Sequence, residues 1–276
     1  MTTCGLVAFW GIQLFVVSLN YIFFVHLLPE QLLRYLGVAT STFVAALWLG
    51  LIVSGMVNYW LCHLTCPGFA EPVIAAEDGI KLEVCQKCKH TRPPRAHHCK
   101  SCKRCVVRMD HHCWWLDTCV GLRNYHFFLL QGFYHMVAAL VFFLACLVPI
   151  RYTMGRDAHG DSTETWWYVP LALWMGLVSL ALMACVALHV RLISHRMTTI
   201  EYIICSSPRG AQLSGPDMED FDNSEVHTTR WLDEIFAESK RGRVPRGLGT
   251  GAWYVLVRLH NRSSTVRMLF KHLSWS

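Results

Sequence analysis

The sequence has little charge. Only 16% of its 276 residues are Asp, Glu, Lys or Arg, whereas 53% are apolar. Soluble domains carry roughly 25% charged residues, so the composition excludes that class and favours an integral membrane protein. Four stretches contain no charged residue: Leu6–Leu28, Val38–Cys62, Phe127–Ile150 and Tyr168–Val190. Each is long enough to cross a hydrocarbon core of about 30 Å, so we predict four transmembrane helices.

Several functional signatures are missing as well. No positive residue lies in Met1–Gly5, before the first apolar stretch, so we expect that stretch to be a retained anchor and not a signal peptide. The chain has no Gly-rich phosphate-binding loop and no Ser-His-Asp arrangement of a named type. Its basic residues flank apolar stretches and form no separate basic domain, which disfavours a nucleic-acid partner.

The Lys and Arg residues predict how the chain is oriented. One lies between the first two stretches, ten lie in His63–His126, two lie between the last two stretches, and twelve follow Val190. Loops rich in Lys and Arg stay in the cytosol, so we place the His63–His126 loop and the C-terminal tail there. With four spans, both termini of the chain are cytosolic.

Cysteine is concentrated in one part of that loop. Seven of the thirteen cysteines lie in Cys85–Cys119, and they include the C-x2-C pairs Cys85/Cys88, Cys99/Cys102 and Cys102/Cys105. Such pairs beside histidines favour zinc in a reducing compartment over disulfide bonds. Because the loop beyond Gly68 has three prolines and no long helical periodicity, we expect an irregular domain that metal organises.

The loop has more potential ligands than two closed zinc sites need. Its seven cysteines are joined by five histidines, namely His90, His97, His98, His111 and His112. Two closed sites take eight ligands, so some of these side chains are free. Two readings stay open: a purely structural double zinc module, or a free thiol beside histidines, which is the arrangement that nucleophilic catalysis requires.

Other segments carry weaker signals. Cys62 and Cys66 lie beside the membrane, where cysteines are either packing residues or acylation sites. Thr198–Glu201, taken alone, is a polar helix end. The tail from residue 202 contains linker-like acidic and basic patches, and from Leu256 onward it is either a basic amphipathic helix or disordered.

At Asp110-His111-His112-Cys113 the loop resembles the DHHC family of protein S-acyltransferases, the palmitoyltransferases. The cysteine and histidine spacing matches that family from Cys85 to Cys119, and Asn124 and Phe128 follow at the family's positions. Thr198-Thr199-Ile200-Glu201 is similar to the family's TTxE motif. The resemblance covers Leu6 to Glu201, about three quarters of the chain.

The resemblance implies an all-α membrane protein with four transmembrane helices. They span about 6–28, 38–62, 127–150 and 168–190. A cytosolic, zinc-bound domain at 63–126 lies between the second and third helices. The segment 127–201 then holds the last two helices and the TTxE-like motif, and 202–276 forms a partly disordered cytosolic tail.

The resemblance also implies roles for individual residues. Two structural zinc ions are expected, one held by Cys85, Cys88, His98 and Cys105, the other by Cys99, Cys102, His112 and Cys119. Cys113 is then the free nucleophile, His111 its base, and Asp110 the carboxylate that orients the base. Thr199 is expected to hydrogen-bond Asp110, with Glu201 and Asn124 in supporting positions.

The implied activity is palmitoyl transfer. An acyl-CoA would acylate Cys113, and the acyl group would pass to cytosolic cysteines of membrane-associated proteins by ping-pong kinetics. The host membrane would be the Golgi, the endoplasmic reticulum or the plasma membrane. The family's Pro-Trp-Val-Asn-Asn is replaced by Trp-Trp-Leu-Asp-Thr at Trp114–Thr118, so the Pro and both Asn are absent. The alternative is therefore a catalytically weak, membrane-anchored zinc-domain scaffold.

Overall fold

The computed structural model describes residues 3–72, 83–153 and 166–206. Its helices are α1 (Thr3–Tyr21), a π-helical segment (Ile22–Leu32), α2 (Leu33–Leu64), α3 (Tyr125–Thr153), α4 (Tyr168–Ser194) and α5 (Thr199–Ser206). Six short strands lie between α2 and α3. The expectations for the tail beyond Ser206 lie outside the described residues.

Three helical stretches of the described chain are long and apolar enough to span a membrane: Gly5–Leu64, Tyr125–Tyr152 and Tyr168–Ser194. The last two correspond to the third and fourth predicted helices. The first stretch, Gly5–Leu64, contains both the first and the second predicted helices. At 60 residues it is about three times the length that one crossing needs. Within it, Pro29 lies in the π-helical segment, and Gly37 leaves the helical conformation with a φ of 78°.

The chain divides into two compact units. The first comprises Thr3–Val57 and Gln131–Val186, and its core is built from aromatic and aliphatic side chains. Trp48 is at the centre of this core: its ring stacks on Phe23 at 4.9 Å and meets Phe142 edge-on at 5.1 Å. The indole N–H of Trp48 donates to the Asn20 side chain at 3.1 Å, so the polar atom is satisfied inside an apolar environment.

The second unit comprises the described residues of 58–130 and 187–206. It holds three antiparallel hairpins: β1 (Glu83–Cys85) with β2 (His90–Arg92), β3 (Ala96–Cys99) with β4 (Arg104–Val107), and β5 (His111–Cys113) with β6 (Thr118–Val120). The sequence predicted an irregular domain for this loop in an otherwise all-α protein, whereas the structure forms three short hairpins there. Strands of three or four residues are too short to show the alternating pattern by which strands are recognised in a sequence.

The second unit has a small apolar core of its own. Val106 and Met109 are buried there together with two cysteine side chains, and Phe69 and Ile200 pack against them. A core of this size contributes little to folding. Metal binding by the cysteine and histidine clusters described next would therefore supply much of the stability of the hairpins.

Candidate active site and metal centres

Eight cysteine and histidine side chains converge in two groups of four, with all ligand atoms of a group within 4.8 Å of one another. The first group joins the turn of the first hairpin to the second hairpin. It consists of Cys85, Cys88, His98 and Cys105. The His98 Nδ1 atom lies 3.7 Å from the Cys85 sulfur and 3.2 Å from the Cys88 sulfur.

The second group repeats this arrangement one hairpin further along the chain. It consists of Cys99, Cys102, His112 and Cys119. The His112 Nδ1 atom lies 3.6 Å from the Cys99 sulfur and 3.5 Å from the Cys102 sulfur, and the two sulfurs of Cys102 and Cys119 are 3.4 Å apart.

Both groups fit zinc. Tetrahedral zinc with Zn–S near 2.3 Å and Zn–N near 2.05 Å requires S–N separations of roughly 3.6 Å and S–S separations of roughly 3.8 Å, close to the separations found here. Each group offers three sulfurs and one imidazole nitrogen, a donor set that structural zinc commonly takes. We call a turn whose two cysteines belong to the same metal group a knuckle. The pair Cys102/Cys105 is not a knuckle, since its two sulfurs belong to different groups.

Cys113 lies in neither group. It ends strand β5, its side chain is 3% exposed, and the adjacent His112 faces the second metal group. His111 begins the same strand, Asp110 immediately precedes that strand, and the Asp110 side chain is fully buried. The structure thus places a buried thiol that belongs to neither metal group two residues after the Asp110-His111 pair.

Three hydrogen-bonding groups hold the Asp110 carboxylate, and a fourth hydrogen bond holds its backbone. One oxygen accepts from His111 Nδ1 at 2.7 Å and from the Thr199 hydroxyl at 2.8 Å, and the other accepts from the Thr199 backbone N–H at 2.8 Å. The Asp110 backbone N–H donates to the Val120 carbonyl at 2.9 Å. Burial opposes ionisation, but these donors outweigh it and hold the pKa of Asp110 below its usual value.

The His111 imidazole lies between Asp110 and Cys113. With Nδ1 on Asp110, Nε2 is the nitrogen available to the thiol. Burial favours the neutral ring, yet the hydrogen bonds and charges of Asp110 and Cys113 outweigh burial and raise the pKa of His111 to about 9. The arrangement therefore favours a proton on His111 and an ionised Asp110 carboxylate.

The segment Thr198–Glu201 forms a capping box at the start of α5. The Glu201 carboxylate accepts from the Thr198 backbone N–H at 2.7 Å, and the Thr198 hydroxyl accepts from the Glu201 backbone N–H at 3.3 Å. The Arg95 guanidinium donates two hydrogen bonds to the same carboxylate, at 2.6 and 2.7 Å. This clamp fixes the helix start that presents Thr199 to Asp110.

Asn124 ties the hairpins to the end of α2. Its side-chain N–H groups donate to the carbonyls of Cys62 and Cys119 at 3.1 and 2.8 Å, and its oxygen accepts from the Gly121 N–H at 2.9 Å. All of these contacts are buried. Asn124 therefore fixes the last ligand of the second metal group against the helix end.

The turn after Cys113 is also attached to α2. The Tyr59 hydroxyl donates to the Trp115 carbonyl at 2.5 Å, and His63 Nδ1 lies 2.6 Å from the Leu116 carbonyl. Trp114 and Trp115 stack on each other and are about half exposed, whereas Leu116 is buried.

A buried pair beside His111 is absent from the sequence prediction. The Tyr125 hydroxyl lies 2.9 Å from His189 Nδ1, and both side chains are buried. The His111 ring meets Phe128 edge-on at 5.0 Å and lies 6.1 Å from the His189 ring. Arg95 and His189 were missed because nothing in their local sequence marks contacts with residues so distant along the chain.

Comparisons with known proteins agree with this geometry. Residues 79–206 match the family model described as DHHC palmitoyltransferase. A Dictyostelium discoideum protein named as a ZDHHC-type palmitoyltransferase is 30% identical over 216 residues, which are 72% of this chain and 48% of that protein. The chain thus spans about half the length of the curated relative it matches. Residues 79–206 are therefore a domain of the DHHC palmitoyltransferase family.

Proposed function

We propose that this protein is an S-acyltransferase that moves a long-chain acyl group, such as palmitoyl, from acyl-CoA to cysteine thiols of other proteins. The observation that carries the proposal is that Cys113 remains outside both complete metal groups and lies beside the His111–Asp110 pair. A metal-free thiol with a base and an orienting carboxylate is the arrangement needed for covalent nucleophilic catalysis.

In the first half-reaction His111 holds the proton from the Cys113 thiol. The thiolate attacks the carbonyl carbon of the acyl-CoA thioester, a new C–S bond forms, and the bond to the CoA sulfur breaks. The CoA thiolate takes the proton from His111 and leaves as free thiol. Asp110 keeps the imidazole oriented and stabilises its positive charge throughout.

The second half-reaction runs the same chemistry with a protein substrate. A substrate cysteine gives its proton to His111 and attacks the acyl-Cys113 thioester, and Cys113 leaves as a thiolate that recovers the proton. Because CoA leaves before the protein substrate reacts, the kinetics are ping-pong. Zinc, when bound, stabilises the hairpins that position Cys113 and takes no part in either half-reaction.

The proposed membrane arrangement has four crossings. Gly5–Leu64 is about 90 Å long as a helix, too long for one crossing, and Gly37 breaks its regular conformation near the middle. Two crossings there and one each in α3 and α4 leave the hairpins on the side of the ten loop Lys and Arg residues, the cytosol. The helices offer the acyl chain an apolar environment that stabilises it by about 0.8 kcal/mol per CH2.

Incubation of the purified full-length protein with labelled palmitoyl-CoA tests the proposal. The expected product carries hydroxylamine-sensitive label, loses the label when a thiol-containing acceptor peptide is added, and does not form in Cys113→Ser. Wild-type protein that retains its zinc and takes up no label would rule the proposal out.

The alternative is a membrane-anchored zinc scaffold with weak or no catalysis. It is motivated by the exposed Trp114–Trp115 pair, which follows Cys113 and offers an apolar surface. A scaffold predicts that cells need the metal groups and not the nucleophile: Cys113→Ser would restore function to cells that lack the protein, whereas Cys99→Ser would not. The S-acyltransferase proposal predicts failure of both variants.

A further inference from the structure

The three hairpins repeat one pattern every 14 residues. Their first strands end at Cys85, Cys99 and Cys113, and each of these cysteines pairs with the residue five positions later: His90, Arg104 and Thr118. The three turns therefore have the same length and begin with the same residue type.

The turns also share an unusual backbone conformation. The fourth residue after each of these cysteines has a positive φ: 58° at Lys89, 54° at Lys103 and 47° at Asp117. Non-glycine residues adopt this conformation rarely, so its recurrence at equivalent places indicates that the three turns follow the same path. The backbone of the third turn therefore has the same conformation as the two knuckles that supply metal ligands.

The ligand pairs repeat as well. In the second hairpin His98 lies opposite Cys105, and this pair completes the metal group of the first knuckle. In the third hairpin His112 lies opposite Cys119, and this pair completes the metal group of the second knuckle. The second and third hairpins each supply a His-Cys pair to the metal group of the preceding knuckle, and each then continues into a turn of the same form.

The third turn differs in one side chain. The second ligands of the first two knuckles are Cys88 and Cys102, each three residues after the first cysteine. The residue three positions after Cys113 is Leu116, which is 1% exposed and holds an apolar side chain in the place of a thiol. One sulfur alone does not make the paired knuckle from which a closed tetrahedral site is built.

We propose that the third hairpin is a metal knuckle whose second ligand has been replaced by Leu116, and that this replacement helps to keep Cys113 free of metal. Among the described residues β6 is followed by helix α3, so no further hairpin supplies the His-Cys pair that completes each of the other two groups. The second part of this inference rests on the proposed function, because only a metal-free Cys113 thiolate has its sulfur electrons available to attack an acyl group. Leu116 is then a specificity-determining residue: it selects acyl chemistry over metal binding at Cys113.

The test restores the missing ligand in the full-length protein. In Leu116→Cys, one added equivalent of cadmium should bind to both thiols of the third turn and displace their protons. We expect a new cadmium–thiolate absorbance and an affinity at least tenfold above that of Leu116→Ala, because the second thiol is held on the same turn as the first. Cys113 acylation should fall at least tenfold when cadmium is present and recover with a chelator.

Controls separate the third turn from the two zinc groups. Cys113→Ser in the Leu116→Cys background should abolish the gain in cadmium binding, and released zinc is measured to confirm that the original groups stay filled. If Leu116→Cys does not retain two zinc ions, Leu116→His supplies a ligand of another kind. Cadmium binding no tighter than in Leu116→Ala, in a variant that keeps its zinc, would overturn the inference. Since absorbance needs no activity, this result is distinct from failure of the acyltransferase proposal.

Discussion

The hydroxyl group of Thr199 offers the sharpest test of how Asp110 is used. It donates at 2.8 Å to the same carboxylate oxygen that accepts from His111, while the Thr199 backbone N–H holds the other oxygen. Thr199→Val removes the hydroxyl, keeps the β-branched shape and leaves the backbone hydrogen bond in place. The substitution therefore isolates one donor to a buried carboxylate.

The expected loss follows from that geometry. A hydrogen bond to a charged group contributes about 1.5–3 kcal/mol, and loss of a donor leaves the fully buried Asp110 carboxylate less well stabilised. Because the backbone N–H and His111 remain as partners, we expect the lower end of this range. About 1.4 kcal/mol in the barrier corresponds to an acylation rate about tenfold lower.

Single-turnover acylation of Cys113 by palmitoyl-CoA, with zinc content measured in parallel, checks this expectation. Thr199→Ser keeps the hydroxyl and is the matched control, with a rate within about twofold of wild type. A Thr199→Val protein that retains two zinc ions and acylates at the wild-type rate would refute the reasoning, and so would a Thr199→Ser protein that is as slow as Thr199→Val.

Three further substitutions test the structure around the site. Arg95→Ala removes both hydrogen bonds to the partly buried Glu201 and should destabilise the zinc domain by about 1–3 kcal/mol, measured as faster limited proteolysis. Arg95→Lys keeps the positive charge and should lose less stability. We infer that the Tyr125–His189 pair positions the His111 ring, which lies 6.1 Å from the His189 ring. His189→Leu should then slow acylation several-fold with an unchanged KM for palmitoyl-CoA, whereas His189→Gln, which can still bond Tyr125, should recover part of the rate. Equal rates in wild type and both variants would contradict this role. Gly121→Ala puts a methyl group 2.6 Å from a backbone oxygen and should lower the yield of folded, zinc-loaded protein, whereas Gly50→Ala, with no atom within 4 Å of the added carbon, should not.

Charge patterning predicted the long helices, because charged residues are costly in lipid and their absence is visible in the sequence. It did not reveal how the first two predicted helices are joined. Gly37 connects them within one helical stretch, and a glycine between apolar segments does not disclose its φ in advance.

The metal ligands show a different limit. The C-x2-C spacing marked Cys85/Cys88 and Cys99/Cys102 as knuckles, but it also marked Cys102/Cys105, whose sulfurs lie in separate groups. Each knuckle is completed by two residues of the next hairpin, a relation fixed by strand register and not by local spacing. The sequence did contain one signal that each knuckle is completed by the next hairpin. The dipeptide His-Cys occurs at His98 and again 14 residues later at His112.

The buried polar contacts around Asp110 were only partly predictable. The Thr199 bond followed from the family resemblance, whereas the capping box formed by Thr198 and Glu201 could be recognised from its spacing alone. The contacts of Arg95 and His189 depend on how distant segments pack, and no property of their neighbours in the sequence specifies them.

The central claim is that Cys113 carries the acyl group, and mass spectrometry of the protein after one turnover with palmitoyl-CoA measures this directly. The account predicts one palmitoyl thioester on the peptide that contains Cys113, removable by neutral hydroxylamine and transferable to an added thiol peptide. A palmitoyl group found only on another cysteine, such as the exposed Cys66, with Cys113 unmodified in zinc-loaded protein, would contradict it.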